Sequence, residues 1–94
     1  MKIAIMTDLE GVAGVIDSVN WCLWDGRYYE IAKELLTEEI NAAIRGFRAA
    51  GATEFHVIDG HGSGGIDIRL LDPDVEYARG WPDKWPFGLD GSYD

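Results

Sequence analysis

A chain of 94 residues and 10.4 kDa has room for one small domain, and 47% hydrophobic residues with three prolines is not a disordered composition. Eight basic against seventeen acidic residues leave a net charge of −9, which argues against nucleic acid or an anionic membrane surface as the main partner and suits a cation. No apolar run approaches the roughly 18 residues of a membrane span, and no basic segment leads into a signal-like apolar stretch; the single cysteine, Cys22, makes neither an internal disulfide nor a cysteine-based zinc site, so a reduced cytoplasmic setting is expected.

Lys2 to Thr7 is a short, mostly apolar run that stops at Asp8-Leu9-Glu10-Gly11, which predicts a buried strand. Gly11, Gly14, Asn20 and Gly26 punctuate the next stretch, predicted as a loop. A long helix is expected over Arg27 to Ala50, with Ile31, Leu35, Leu36, Ile40, Ala43, Ile44 and Phe47 as its apolar stripe, Asp25 as N-cap and Gly51 as its stop. Thr53 to Asp59 reads as the second strand, running into Gly60-His61-Gly62-Ser63-Gly64-Gly65. Ile66 to Leu71 is ambiguous, Val75 to Ala78 suits a third short strand, and Gly80 to Asp94 reads as loop.

Strand, helix, strand is the βαβ signature of a parallel pair. Parallel sheets are normally covered on both faces, and one long helix covers only one. The expected fold is therefore the start of an α/β parallel-sheet domain, incomplete on its own, over residues 1–94. It needs a downstream segment, a complementary chain or oligomer neighbours.

Three side chains are predicted to converge at the carboxyl edge of this sheet, where open α/β folds bind their ligands. Asp8 and Glu10 stand two residues apart on extended chain and so point the same way. His61 follows the adjacent strand directly, between two glycines that let its ring turn inward. Two carboxylates and an imidazole suit Zn²⁺, Mn²⁺ or Fe²⁺ and leave positions open for water. Gly60, Gly62 and Gly65 also fit a dinucleotide-binding G-x-G-x-x-G, but that motif must open a helix; only seven residues, with two acids among them, separate Gly65 from Pro73, so the match is read as chance. His56 alternates within its strand and is read as a packed or edge residue. Cys22 has no basic residue near it in sequence except Arg27 and is read as structural. Trp21, Trp24, Trp81 and Trp85 sit in two loop segments and suit a subunit contact.

Met6-Thr7-Asp8-Leu9-Glu10-Gly11-Val12-Ala13-Gly14, then Thr37-Glu38-Glu39-Ile40-Asn41, then Val57-Ile58-Asp59-Gly60-His61 resemble the D-aminopeptidase family of zinc peptidases. Pro86-Phe87, Leu89-Asp90 and Tyr93-Asp94 are similar too. The resemblance implies a dinuclear zinc enzyme that removes N-terminal D-amino acids from short peptides and assembles as a homo-oligomeric ring. It implies that Asp8 bridges both ions and that Glu10 and His61 complete the shell of the first. The ligands of the second ion and the catalytic histidine are expected beyond Asp94, so the chain resembles the first third of a family member. Alone it is expected to hold metal weakly and to hydrolyse nothing.

Two other classes share some of these features. An exonuclease with a strand-borne Asp-x-Glu pair holds two Mg²⁺ ions, but its acidic strand runs into antiparallel hairpins and it needs a basic track. A non-catalytic oligomerisation or regulatory module would keep the start of the fold without the chemistry.

Overall fold

The computed structural model describes residues 1–80 and 88–94; Trp81, Pro82, Trp85, Pro86 and Phe87 lie outside the described residues. The elements are β1 (Lys2–Thr7), α1 (Ser18–Trp21), α2 (Tyr29–Ala49), β2 (Glu54–Asp59) and β3 (Glu76–Arg79). The three strands form one all-parallel open sheet in the order β1-β2-β3, with Lys2 opposite Glu54, Thr7 opposite Asp59, and Asp59 in turn opposite Arg79. No helix among the described residues is long and apolar enough to cross a membrane.

One core joins the sheet to the long helix. Ile3, Phe55 and Val57, alternating on their strands, pack with Leu36, Ile40 and Ile44 of α2. Each such side chain, once buried, contributes about 1.5–3 kcal/mol. The long helix thus covers one face of a sheet that parallel strands need covered on two, which is the architecture of an incomplete α/β domain. The exonuclease pattern is not met: β1 leads through α2 to a parallel neighbour, not into an antiparallel hairpin.

Three details differ from expectation. The segment between Gly11 and Gly26 is not all loop: Asp17 accepts a hydrogen bond from the Asn20 N–H at 2.8 Å and caps the single turn of α1. Asp25 does not cap α2, which starts at Tyr29 after an N-cap Tyr28 with no side-chain cap bond. Main-chain groups take over: the Tyr28 N–H donates to the Asn20 carbonyl at 2.7 Å and the Tyr29 N–H to that of Gly26 at 3.2 Å. The buried stripe of α2 is narrower than predicted and is carried by Tyr29, Ala32, Leu36, Thr37, Ile40 and Ile44. Ile31 and Phe47 flank it and stay exposed at 48% and 42%.

The far end of α2 is as expected. Gly51 takes φ +105°, a left-handed conformation, and its N–H bonds to the Arg48 carbonyl while the Ala52 N–H bonds to that of Phe47. This paired closure satisfies two carbonyls the helix leaves open and turns the chain into β2.

Candidate metal centre

The centre is built on the carboxyl ends of β1 and β2. Leu9 is completely buried and pins the chain just after β1, so Asp8 and Glu10 on either side of it turn outward together. Their side chains are 63% and 51% exposed, while that of His61 is only 9% exposed behind them. His61 Nδ1 lies 3.0 Å from Asp8 Oδ1 and 3.2 Å from Glu10 Oε2. The three donor atoms all fall within 4.8 Å of one another, and among the described residues no other group of this kind occurs. The structure therefore brings together the three residues singled out in the sequence.

The other imidazole nitrogen decides which face of the ring is free. His61 Nε2 lies 2.6 Å from the main-chain carbonyl of Cys22, which can only accept, so Nε2 carries the proton and donates it. The Nδ1 lone pair is then left facing the two carboxylates, the arrangement by which a carbonyl orients a metal-binding histidine. Two carboxylate oxygens and this nitrogen fit a divalent cation such as Zn²⁺, Mn²⁺ or Fe²⁺.

Without a cation, all three neighbours of the ring are acceptors. Burial by itself lowers the proton affinity of His61, but the Cys22 carbonyl and the carboxylates of Asp8 and Glu10 overcome it and hold its pKa above the ordinary value. Burial likewise pushes Asp8 up, and it is outweighed by hydrogen bonds with Glu10, the Leu9 N–H at 2.7 Å and His61, which leave its pKa lowered. Without a cation the cluster thus favours protonation of the ring, and a cation at Nδ1 would compete with that proton.

The remaining sequence candidates fall elsewhere. His56 lies within β2, with Nδ1 3.4 Å from Glu76 Oε2 and its ring 6.3 Å from that of Tyr93, away from the cluster. Gly60 to Gly65 form a turn, and no helix follows them before β3, so no helix N-terminus faces a phosphate there. Cys22 is 1% exposed; burial first, then the carboxylates of Glu10, Asp8 and Asp17, pushes its thiol up, which keeps it protonated and inert. Sequence reading missed the contribution of its main-chain oxygen to the site.

It also missed what the Thr37-Glu38-Glu39-Ile40-Asn41 run does. Thr37 Oγ1 accepts from the Asp67 N–H at 2.9 Å, Glu39 Oε1 from the Ala13 N–H at 3.1 Å, and Asn41 bonds both the Leu70 carbonyl and the Asp72 N–H. These residues stitch the loops on both sides of the centre onto α2. Thr37 and Asn41, four apart, share one side of the helix and face the segment from Asp67 to Asp72, whereas Glu39, two residues from each, projects from another side toward Ala13.

An open parallel sheet with an acid–imidazole cluster at its carboxyl edge has the layout of an α/β domain with a candidate site for a divalent cation. Compared with known families, the chain matches the D-aminopeptidase family over residues 1–94, its whole length. It belongs to that family of metallopeptidases. No curated protein and no solved structure matches the chain.

Proposed function

We propose that this chain supplies part of the active centre of a zinc-dependent aminopeptidase that hydrolyses N-terminal D-amino acids from short peptides. The observation that carries this reading is the convergence of Asp8 Oδ1 and Glu10 Oε2 on the Nδ1 of His61 at 3.0 and 3.2 Å, in a chain of this peptidase family. In this reading Asp8, the most exposed of the three, would be the ligand shared by two ions, and Glu10 and His61 would complete the shell of the first. Three donors do not fill the coordination of two ions, so the further ligands and the general acid–base group come from residues outside this cluster, in a downstream segment or a complementary chain. Bound zinc supplies Lewis acidity toward the scissile carbonyl and lowers the pKa of water. The protein's own part is to aim Nδ1 at the cation, by committing the Nε2 proton to the Cys22 carbonyl, and to keep two carboxylates beside it.

A cytoplasmic homo-oligomer belongs to the same proposal. Ile16, Val19, Leu23 and Trp24 are 79%, 66%, 46% and 75% exposed on one short segment beside the centre, a patch that suits contact with a second copy. The lone, buried Cys22 suits a reducing compartment.

The test is zinc titration of the wild-type chain and of His61→Ala, followed by hydrolysis of D- and L-aminoacyl peptides once the remaining ligands are supplied. His61→Ala is expected to bind zinc at least 100-fold more weakly, and the completed assembly to prefer D-aminoacyl substrates. Undiminished zinc binding by a folded His61→Ala chain would overturn the reading.

A further inference from the structure

The carboxylate of Asp59 is the least exposed acidic group at the carboxyl edge, at 1%, and it takes no part in the candidate metal cluster. It sits at the last residue of β2 and gathers four donors. Oδ1 accepts from the N–H groups of His61 at 3.3 Å and Gly65 at 3.0 Å; Oδ2 accepts from the N–H groups of Gly65 at 3.0 Å and Ile66 at 3.1 Å and from the Tyr77 hydroxyl at 3.3 Å. A carboxylate offers acceptors in enough directions for such a set. An amide of the same shape would turn an N–H against N–H donors.

The bonds have a common effect. They tie both ends of the turn from Gly60 to Ile66 to one point, while the Gly64 N–H closes it on the His61 carbonyl at 2.8 Å and the Tyr29 hydroxyl holds the Ser63 and Gly64 carbonyls. The turn is drawn in so far that a Cβ on Gly65 would lie 3.3 Å from the Cβ of His61 and 3.0 Å from Leu36 Cδ2. His61 is therefore braced at its backbone by Asp59, at its Cβ by the returning chain and at its ring by Cys22.

We propose that Asp59 is the positioning residue of this centre: its sealed carboxylate shapes the turn that presents His61 Nδ1 to the cation. The proposal rests on the reading of His61 as a metal ligand. Asp59 touches neither cation nor substrate and acts through the histidine.

The test measures zinc affinity and imidazole ¹⁵N spectra for the wild-type chain, Asp59→Asn, Tyr77→Phe and His61→Ala, with folding checked by circular dichroism. Asp59→Asn is expected to bind zinc about 10–100-fold more weakly. Before metal is added, its His61 nitrogens should already show mixed ring states. Tyr77→Phe, which changes no charge and removes one donor from the same carboxylate, is expected to weaken zinc binding severalfold, and it carries the test if Asp59→Asn does not fold. Wild-type zinc affinity and a wild-type imidazole spectrum in either folded variant, with zinc lost from His61→Ala, would overturn the positioning role and leave the metal reading standing. Wild-type affinity in His61→Ala would overturn both.

Discussion

Arg69 grips Asp67 with both edges of its guanidinium, Nε to Oδ1 at 3.0 Å and Nη2 to Oδ2 at 2.8 Å, and its own N–H adds a third bond to the same carboxylate. The Arg69 side chain holds the carboxyl of Asp67 down to about 2, against an ordinary value of 3.8. A depressed folded-state pKa means stabilisation that is complete above the unfolded value and lost as pH falls through about 2. Arg69→Ala is expected to raise the Asp67 pKa toward 3.8 and move the acid-unfolding midpoint to higher pH, as read by carboxyl NMR titration and by circular dichroism against pH. The opposite sign holds for His61, whose raised pKa stabilises the metal-free fold at low pH and loses that effect as pH climbs through the folded value. These two groups show why single residues were unequally legible. His61 carried its chemistry in its identity and its place just after a strand. Asp67 looked like any acid in an ambiguous segment, because its pairing depends on a turn that bends Arg69 back onto it.

At the scale of elements, α2 is both the floor of the core and the frame of the site. Asn41 illustrates the second role: its Nδ2 donates to the Leu70 carbonyl at 2.7 Å and its Oδ1 accepts from the Asp72 N–H at 2.9 Å, holding the connection from β2 to β3 against the helix. Asn41→Leu removes both bonds, and since water reaches part of that region the expected cost is about 1–2 kcal/mol. A lower urea midpoint with an unchanged slope is the outcome to look for. The element boundaries were readable wherever a side chain sets them. β1 is bounded by its apolar run, and α2 ends where Gly51 adopts a conformation other residues resist. The start of α2 was not readable, because the Asn20 and Gly26 carbonyls receive its first N–H groups and main-chain oxygens carry no residue signature. For the same reason the exposed Ile31 and Phe47 were assigned to the buried stripe: helical spacing places them near it, and only the depth of the sheet beneath decides where burial stops.

For the molecule as a whole, the centre joins two stretches of chain that lie more than fifty residues apart, Asp8 and Glu10 on one side and His61 on the other. A cation binding all three stabilises the native state alone, by about 2.7 kcal/mol when free metal exceeds its dissociation constant a hundredfold. Zinc is accordingly expected to raise the thermal midpoint of the wild-type chain, a chelator to reverse the gain, and neither to move Glu10→Ala by as much. The parallel order, the long crossover helix and the convergence of the three donors were legible because each follows from alternation and strand ends. The bracing of the histidine was hidden, since it depends on where the segment from Gly11 to Gly26 happens to return. That return has an evolutionary corollary. An anchor made by a peptide oxygen is indifferent to the side chain that accompanies it, so position 22 is open to drift among small residues that fill the same space, and Cys22→Ala is expected to keep wild-type zinc affinity by calorimetry. Length is what the anchor does not forgive: deleting one residue between Gly14 and Cys22 would carry that oxygen out of reach of the imidazole, and the zinc affinity should go with it.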